Sequence, residues 1–425
     1  MEVIIFILLF LFLFLGIPIA TTLFLLALIG FSFAKGVPLV VLAQDIMTKL
    51  DNFVYLAVLF FIFVGNLMSR GQMADRIISL ARTFFGWLSG GTAISGIVAC
   101  ALFGAICGSG TATIIAIGTI LVPSLIQEGY NKNFSVGLIG TSGTLGMIVP
   151  PSVPMIIYAV IAGTSVAKMF AAGYVPSLLI IGSLGVYSFF VAKRQKVERI
   201  GFPSLRQAVT SLKDAAFPLI LILVIFGGIY SGIFSATEAG AVAVVFALLV
   251  EFFVYRSLNF KEFKEIAINS GVNTGIVMLI IGSAATFADY LVTVQIPNHI
   301  ASAFVANISS KWIFLLIANV MLLIIGTFLE IASAIIIFMP LLLPLIKELE
   351  ISAIHFGIIF IVNLCIGYIT PPVGMSLYVS CGIFQDVKFD RLVQSLIPIF
   401  LILVVDLLLI TYLPWLSLAI PGLMR

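Results

Sequence analysis

Charged residues are scarce in this sequence of 425 residues: Asp, Glu, Lys and Arg together make up 9% of it, whereas 62% of the residues are hydrophobic. Soluble domains carry roughly 25% charged residues, so the composition excludes a soluble fold. Uncharged runs such as residues 3–34 and 173–192 reach the roughly 20 residues that a helix needs to cross a bilayer. The sequence predicts an all-α polytopic membrane protein with about ten apolar segments, embedded in a lipid bilayer.

Motifs of several enzyme classes are also missing. The chain has no G-xxxx-GK[ST] phosphate loop, no HExxH zinc motif and no G-x-S-x-G nucleophile elbow. The four cysteines lie in apolar segments without CxxC spacing, so buried thiols are a simpler interpretation than a disulfide or a metal site. A net charge of +3 gives no argument for nucleic acid as a partner. We therefore expect no enzyme activity, and no direct use of ATP.

Basic residues are concentrated in one loop, residues 193–216. This loop contains six Lys or Arg residues and two acidic residues. An excess of Lys and Arg marks the loops that remain in the cytoplasm. The sequence therefore places residues 193–216 on the cytoplasmic side.

Prolines and glycines reveal an internal repeat with an offset of 221 residues. The matched positions are Pro123, Gly146, Pro150 and Pro151 in the first copy, and Pro344, Gly367, Pro371 and Pro372 in the second. Residues 173–192 lead into the cytoplasmic loop, whereas their counterparts, residues 394–413, lead out of a loop that contains Lys388 and Arg391. The two copies therefore run in opposite directions. Inverted repeats are common in secondary transporters, which place their site between the repeats near the bilayer midplane.

Each copy contains an apolar run that is too long for one span. No charge occurs in the 45 residues between Arg82 and Glu128, which include the polar stretch GSGTAT at 108–113. The counterpart, residues 312–346, contains Glu330 as its only charge. The simplest geometry is a hairpin that enters the membrane, turns and returns to the same side; two full spans are the alternative. Irregular backbone at this depth is tolerated only where it is buried in protein or lines a cavity.

A proline pair interrupts a helix in each copy. Proline lacks an amide donor and clashes with the carbonyl one turn earlier, so each pair frees backbone carbonyls. Neutral side-chain oxygens near the two breaks belong to Thr141, Ser142, Thr144, Ser152, Asn363, Thr370 and Ser376. Carbonyl and hydroxyl oxygens at broken helices suit Na⁺, and helix N-termini favour an anionic substrate. A simple kink in a packed helix is the alternative for either pair alone.

Glu330 is the strongest single candidate for a functional side chain. An ionisable residue inside a membrane span is expensive, and it usually faces a cavity or a partner. A structural hydrogen bond is the alternative interpretation. Asp406 and Glu238 we interpret as structural or interfacial.

Four segments carry a resemblance to a known family: GSGTATIIAIGTILVP, GTLGMIVPPSVPMIIY, FSATEAGAVAVV and IGYITPPVGMSLYV. They resemble segments of the large membrane subunit of tripartite ATP-independent periplasmic (TRAP) transporters, and the resemblance extends over essentially the whole chain. It implies the ion-transporter superfamily fold, with two re-entrant hairpins and two broken helices that move like an elevator, coupled to Na⁺. It also implies two partners, a separate small four-helix membrane subunit and a periplasmic substrate-binding protein, in a bacterial inner membrane.

The resemblance also assigns site residues. The first hairpin tip and the facing break would bind one Na⁺ through Ser109, Gly110, Thr113, Thr141, Ser142 and Gly143. The second would use Gly326, Thr327, Glu330, Asn363, Gly367 and Thr370. Substrate would lie between the tips, near Thr111, Pro150, Ser152 and Pro371. The tips differ in sequence, since Ser109-Gly110-Thr111 is opposed by Glu330-Ile331-Ala332, which argues against identical coordination.

The repeat and the resemblance together divide the chain into five parts. We expect scaffold helices and an arm in 1–91, the first hairpin and broken helix in 92–168, scaffold helices in 169–312, the second hairpin and broken helix in 313–383, and a final scaffold span in 384–425.

The functional expectation is Na⁺-coupled import of a small organic acid, such as a C4-dicarboxylate, sialic acid or another sugar or keto acid. A stand-alone sodium-coupled carboxylate carrier is the first alternative, because it needs no binding protein. A membrane-embedded enzyme or a passive channel is the second.

Overall fold

The computed structural model describes residues 2–33, 36–197, 201–296 and 310–424. Within these ranges the chain is helical and contains no β-strand. Among the described residues, seven helices are long and apolar enough to cross a membrane, and up to nine if each of two bent helix pairs counts as one span. The prediction of an all-α polytopic membrane protein is confirmed.

Five helices precede the first repeat. They are α1 (Glu2–Phe14), α2 (Ile19–Leu28), α3 (Leu39–Leu50), α4 (Tyr55–Arg70) and α5 (Met73–Phe85). Those of the first repeat follow as α6 (Gly91–Cys107), α7 (Gly110–Gln127), α8 (Lys132–Thr144), α9 (Val153–Ala162) and α10 (Val166–Gln195). Between the repeats lie α11 (Leu205–Asp214), α12 (Ala216–Tyr230), α13 (Ala236–Leu249) and α14 (Phe260–Thr293).

The second repeat reproduces the helix boundaries of the first. Its helices are α15 (Lys311–Phe328), α16 (Ile331–Glu348), α17 (Ala353–Gly367), α18 (Met375–Ile383) and α19 (Phe389–Tyr412), and the short α20 (Trp415–Leu418) follows. Adding 221 to the bounds of α7, residues 110 and 127, gives 331 and 348, which are the bounds of α16. The same shift carries the start of α8 at residue 132 to the start of α17 at residue 353. The offset found in a few prolines and glycines therefore describes the whole repeated fold.

Local sequence explains why the hairpins turn and the broken helices stop where they do. In the first hairpin, α6 ends at Gly108, whose φ of +60° is a left-handed conformation that favours glycine. Ser109 then caps α7 by accepting a hydrogen bond from the Ala112 amide. In the broken helices, both proline pairs are cis, and each lies between two helical halves. Both predicted breaks are thus present.

The second halves of the two broken helices exchange partners between the repeats. Helix α9 packs on α16 and α17 of the second repeat, and α18 packs on α7 and α8 of the first. The two hairpins and the two breaks therefore form one interlocked body. Large buried side chains such as Phe103, Tyr158 and Phe360 fill its interior.

Two corresponding helices show that the repeats are inverted. The C-terminal end of α10 and the N-terminal end of α19 line the same cavity, through residues that include Arg194 and Arg391. Because α10 and α19 occupy equivalent positions in the two repeats, opposite ends of equivalent helices lie side by side. This is the arrangement that the basic loops predicted.

The remaining helices form a second group around α14. This helix packs on α2, α3 and α4, while α13 packs on α4 and α12. Contacts of α4 with α6 and α9, and of α14 with α16, join this group to the interlocked body. Helices α10 and α19, which the predicted division of the chain assigns to the scaffold, instead make their main contacts with the hairpins and broken helices. The division into scaffold and mobile parts stays a prediction.

Candidate ion and substrate site

The tip of the first hairpin contains a cluster of hydroxyl groups. Ser109 Oγ lies 3.2 Å from Thr111 Oγ1. Thr113 Oγ1 donates to the Ser109 carbonyl over 2.7 Å and lies 3.2 Å from the Cys107 thiol. Thr113 is buried, whereas Ser109 and Thr111 are half-buried. The tip therefore presents Ser109 and Thr111 outward while Thr113 holds its shape.

Glycines let the first hairpin lie directly on the first broken helix. A methyl group added at Gly104 would lie 2.2 Å from Gly146 Cα, so the two backbones are in contact there. A methyl group at Gly143 would lie 3.2 Å from the Gly110 carbonyl oxygen. At the turn itself, a methyl group on Gly108 would lie 3.2 Å from the Val153 amide nitrogen. The tip therefore lies directly against the break of the first broken helix.

Two buried hydroxyl oxygens of the first broken helix have no hydrogen-bond partner among the described residues. Thr141 Oγ1 and Ser142 Oγ, on the last turn of α8, are fully buried and without a hydrogen bond in the part of the chain that the structure describes. Ser152, after the break, is satisfied instead: its Oγ donates to the Met147 carbonyl over 2.6 Å. Leaving a polar atom buried without a partner costs about 1–3 kcal/mol, so Thr141 and Ser142 are the atoms that require an explanation.

The tip of the second hairpin carries a carboxylate in place of Ser109. Glu330 caps α16, since its Oε2 accepts from the Ser333 amide over 3.1 Å. The Ile331 amide donates to the Tyr368 hydroxyl over 3.1 Å, and the Gly374 amide donates to the Thr327 carbonyl over 3.3 Å. The second tip is therefore bound to both sides of the second break.

The second hairpin and broken helix also meet through glycine. A methyl group added at Gly367 would lie 2.4 Å from the carbonyl carbon of Gly326. Thr370, one turn after Gly367, donates its hydroxyl to the Ile366 carbonyl over 2.7 Å. All six residues predicted for the second ion site thus belong to one hairpin and break, as do the six predicted for the first.

Asn363 lies at one end of a chain of buried polar residues. Its Nδ2 donates to Asn319 Oδ1 over 2.8 Å, and Asn319 Nδ2 donates to Thr411 Oγ1 over 3.1 Å. His355 continues the chain, with Nε2 at 3.2 Å from the Thr411 carbonyl and Nδ1 at 2.6 Å from Ser417 Oγ. With both amide donors directed at oxygens, Asn363 Oδ1 is left buried without a partner among the described residues.

One unpartnered oxygen in each repeat occupies an equivalent position. Adding 221 to Ser142 gives Asn363, so each broken helix directs one neutral oxygen inward at the same place in the repeat. Within the described ranges, no group of three or more His, Cys, Asp or Glu residues could hold a metal ion. Neutral hydroxyl, amide and carbonyl oxygens are the donors expected for an alkali ion rather than a transition metal. The residues present therefore fit Na⁺.

The residues predicted to touch substrate differ in accessibility. Pro150 and Ser152 are buried, whereas Thr111 is half-buried and Pro371 is exposed. Glu330 is also exposed, although many protein atoms surround its carboxylate. The second tip and break are therefore more exposed than the first, whose break is buried and whose tip is half-buried.

Sequence reasoning missed the residues that support the second site. Asn319, Thr411 and Tyr368 were not candidates, although each contacts a predicted site residue or continues its hydrogen bonds. One signal was available for Asn319, the only amide side chain within the apolar helix α15. No local pattern pointed to Tyr368, because its role depends on the position of Glu330 across the hairpin contact.

Comparison with known proteins decides the family. The family model described as "Tripartite ATP-independent periplasmic transporter, DctM component" matches residues 6–416. The chain belongs to the DctM family. Among its relatives, the C4-dicarboxylate TRAP transporter large permease protein DctM of Pseudomonas aeruginosa is 40% identical, over 90% of this chain and 89% of that protein.

A second relative shows a longer arrangement of the same family. The isethionate TRAP transporter permease protein DctMQ of Oleidesulfovibrio alaskensis is 36% identical over 94% of this chain, which spans only 63% of that protein. Among solved structures, the YdaH transporter of Alcanivorax borkumensis aligns with a TM-score of 0.62 at 15% identity, over 89% of this chain and 88% of that one. This structural likeness supports the fold alone. The DctM chain is therefore a large permease of the TRAP type, built on a transporter fold.

Proposed function

We propose that this chain imports a small organic anion, together with Na⁺, as the large permease subunit of a tripartite transporter in a bacterial inner membrane. A separate small four-helix membrane subunit and a periplasmic substrate-binding protein complete the system. The observation that carries the proposal is the pair of unpartnered buried oxygens, Ser142 Oγ and Asn363 Oδ1, at equivalent positions in inverted repeats.

Sodium would satisfy the oxygens that the protein leaves without partners. At the first site, Thr141 and Ser142 lie on the last turn of α8, next in sequence to Gly143, whose backbone approaches Gly110 of the hairpin. An ion at this point would join the hairpin to the broken helix, so binding would hold the tip in place. At the second site, Asn363 would supply the amide oxygen, with the Gly326–Gly367 contact beside it.

Substrate would bind where the tips and breaks meet, near Thr111, Pro150, Ser152 and Pro371. Helix α7 begins at the first tip and α16 at the second, so two helix N-termini point towards this region. Each N-terminus carries a partial positive charge that favours a carboxylate. Sodium at both sites would add to this field, and the coupling of ion and substrate follows from that attraction.

Glu330 would tune the second site rather than bind an anionic substrate directly. Its carboxylate already caps α16, and a carboxylate retains further acceptor capacity when it makes one or two hydrogen bonds. A negative charge at an exposed tip attracts a cation and repels an anion. We therefore assign it to Na⁺, and we propose that the interlocked hairpin and break body moves as an elevator between the two membrane faces.

Relatives support the class of substrate but differ in its identity. One is named for C4-dicarboxylates and another for isethionate, a sulfonate, and both compounds are small organic anions. The neutral hydroxyls and helix ends of the proposed site recognise negative charge and little else. Substrate choice within the class then belongs to the binding protein.

Uptake into proteoliposomes tests the proposal. The full-length chain with its small partner is reconstituted, and radiolabelled candidate acids are offered with the binding protein and an inward Na⁺ gradient each present or omitted. We expect uptake only when both are present. Uptake that ignores the binding protein would indicate a stand-alone carrier, and flux that ignores the Na⁺ gradient would exclude sodium coupling.

A further inference from the structure

A cavity outside the proposed transport site lies where three helix ends meet. It has a volume of about 670 Å³ and is formed by the N-terminal ends of α8 and α19 and the C-terminal end of α10. Ligand pockets in proteins commonly measure about 300–1,000 Å³. The cavity is therefore large enough for a lipid headgroup with its glycerol backbone.

Hydrogen bonds hold the three helix ends around the cavity. The Asn131 amide on the N-cap of α8 donates to Gln195 Oε1 at the end of α10 over 3.0 Å. Ser395 Oγ on α19 lies 3.3 Å from the Asn133 carbonyl of α8. The shape of the cavity is thus set by contacts between residues far apart in sequence, and it is a built feature of the fold.

The cavity carries unbalanced positive charge. Arg194 and Arg391 line it, both are exposed, and neither forms an ion pair with a carboxylate in the part of the chain that the structure describes. Arg391 lies in the first turn of α19, where the helix dipole disfavours a cation. Two helix N-termini add to the positive potential, and the C-terminal end of α10 opposes it in part. An anion in the cavity would therefore be attracted from several sides.

Apolar side chains also line the cavity. Phe134, Tyr187 and Val191 line it, with the first two rings 6.0 Å apart. On the same helix, α10, Val186 and Phe190 are 59% and 62% exposed, as expected of side chains that face acyl chains. A free anion would use only the arginine end. A phospholipid would use both ends, with its phosphate at the arginines and an acyl chain along α10.

We propose that this cavity binds the headgroup of an anionic phospholipid through Arg194 and Arg391. Arg194 lies near the start of the basic loop 193–216, which the sequence predicts to be cytoplasmic. The lipid would therefore come from the cytoplasmic leaflet. Basic pockets between transmembrane helices on this side are suited to anionic headgroups. Because α8 is the first half of a broken helix, the lipid would brace the helix ends that position the transport site.

Lipid binding to the purified full-length chain tests this inference. Thermal unfolding in a neutral detergent is measured with phosphatidylglycerol, with phosphatidylcholine and with inorganic phosphate. The test variant is Arg194→Gln with Arg391→Gln. The matched control is Lys261→Gln with Lys264→Gln, which removes the same charge from exposed lysines on α14. A companion variant, Arg194→Lys with Arg391→Lys, keeps the charge.

We expect phosphatidylglycerol, but not the other two additives, to raise the unfolding temperature of the parent protein and of the control Lys261→Gln with Lys264→Gln. The glutamine variant should bind this lipid about thirty-fold more weakly, because each basic contact with an anionic membrane surface contributes roughly a factor of five. The variant Arg194→Lys with Arg391→Lys should keep most of the stabilisation by phosphatidylglycerol.

Three results would overturn the inference. An equal response of the glutamine variant and the parent would show that the arginines do not hold the lipid. Equal stabilisation by inorganic phosphate would show that the cavity binds a free anion, and equal stabilisation by phosphatidylcholine would show that headgroup charge is not read. None of these readouts depends on Na⁺ or on transport, so the inference stands apart from the proposed function.

Discussion

The two helix breaks occupy equivalent positions but present different surfaces. Pro150 and Ser152 of the first break are buried, whereas Pro371 of the second is exposed and Val373, the counterpart of Ser152, is half-buried. The first tip carries Ser109 and the second carries an exposed Glu330 at the same repeat position. Duplication thus preserved the backbone and let the environment diverge. A transporter that opens to one side at a time requires this kind of asymmetry in any single conformation.

Both repeats bring a hairpin against a broken helix through glycine, and breaking these contacts should have the largest effect. Gly104→Ala and Gly367→Ala each insert a methyl group against backbone, 2.2 Å and 2.4 Å from the nearest atom. We expect each to lower the free energy of unfolding by about 3 kcal/mol or to prevent folding. Thermal unfolding in detergent measures this.

Gly182→Ala on α10 is the matched control, because no atom of the described residues lies within 4 Å of the added methyl group. It should be neutral or slightly stabilising. If Gly104→Ala and Gly367→Ala unfolded at the same temperature as the control, close contact between hairpin and broken helix would not be what stabilises the fold.

Alanine variants of Ser142 and Asn363 can distinguish a role in ion binding from a role in stabilising the fold. Ser142→Ala removes an oxygen that has no partner, so stability should change little while half-saturating Na⁺ rises about tenfold or more, as for loss of one contact to a charged group. Asn363→Ala should raise half-saturating Na⁺ similarly and also destabilise the fold by about 1–3 kcal/mol, because Asn319 loses its donor. Sodium titration of uptake and thermal unfolding measure the two effects.

Ser188→Ala is the control, since this buried hydroxyl donates to the Leu184 carbonyl within α10 and lies outside the proposed sites. A shift in Na⁺ dependence as large as that of Ser142→Ala would remove the argument from unpartnered oxygens.

Accessibility of the two breaks can be compared by labelling. Ser152→Cys and Val373→Cys place thiols at equivalent positions in a Cys381→Ser background, where the remaining native cysteines are buried. A membrane-impermeant maleimide should label residue 373 at least about tenfold faster, because thiol reactivity follows exposure. Equal rates would show that the asymmetry does not persist in the membrane.

Support of the second site by Asn319 has no counterpart in the first. Subtracting 221 from 319 gives Val98, so Asn319→Val converts the second repeat to the sequence of the first. Loss of one neutral hydrogen bond, about 1 kcal/mol, should raise half-saturating Na⁺ about fivefold, with the KM for substrate unchanged. A change in KM alone would indicate a role in substrate binding instead of ion positioning.

The smallest effect is expected at the second tip. Glu330→Ser installs the residue found at the first tip, and serine also caps helices well, so stability should stay within about 0.5 kcal/mol. Removing an exposed charge near the ion should weaken Na⁺ activation by a few-fold at most. Strong loss of folding would show that the carboxylate is structural.

Sequence alone predicted most of this fold because its main features are local. Pro150 and Pro371 stop a helix by the chemistry of their own ring, and Gly108 turns the hairpin by its own φ. A few such positions at one offset were enough to predict two inverted copies. Assignment of ions and substrate to these residues stays a prediction, since unpartnered oxygens indicate a site but do not identify its occupant.

What the sequence determined by itself is the membrane class, the repeat and the two breaks, because composition and proline chemistry act within one or two helical turns. Only the tertiary structure decided which break is more exposed and how Asn319 and Thr411 continue the hydrogen bonds of Asn363. It also decided that Arg194 and Arg391 line the same cavity. These features depend on how helices cross, and the residues involved are separated by up to 197 positions, from 194 to 391. No local pattern records such a distance.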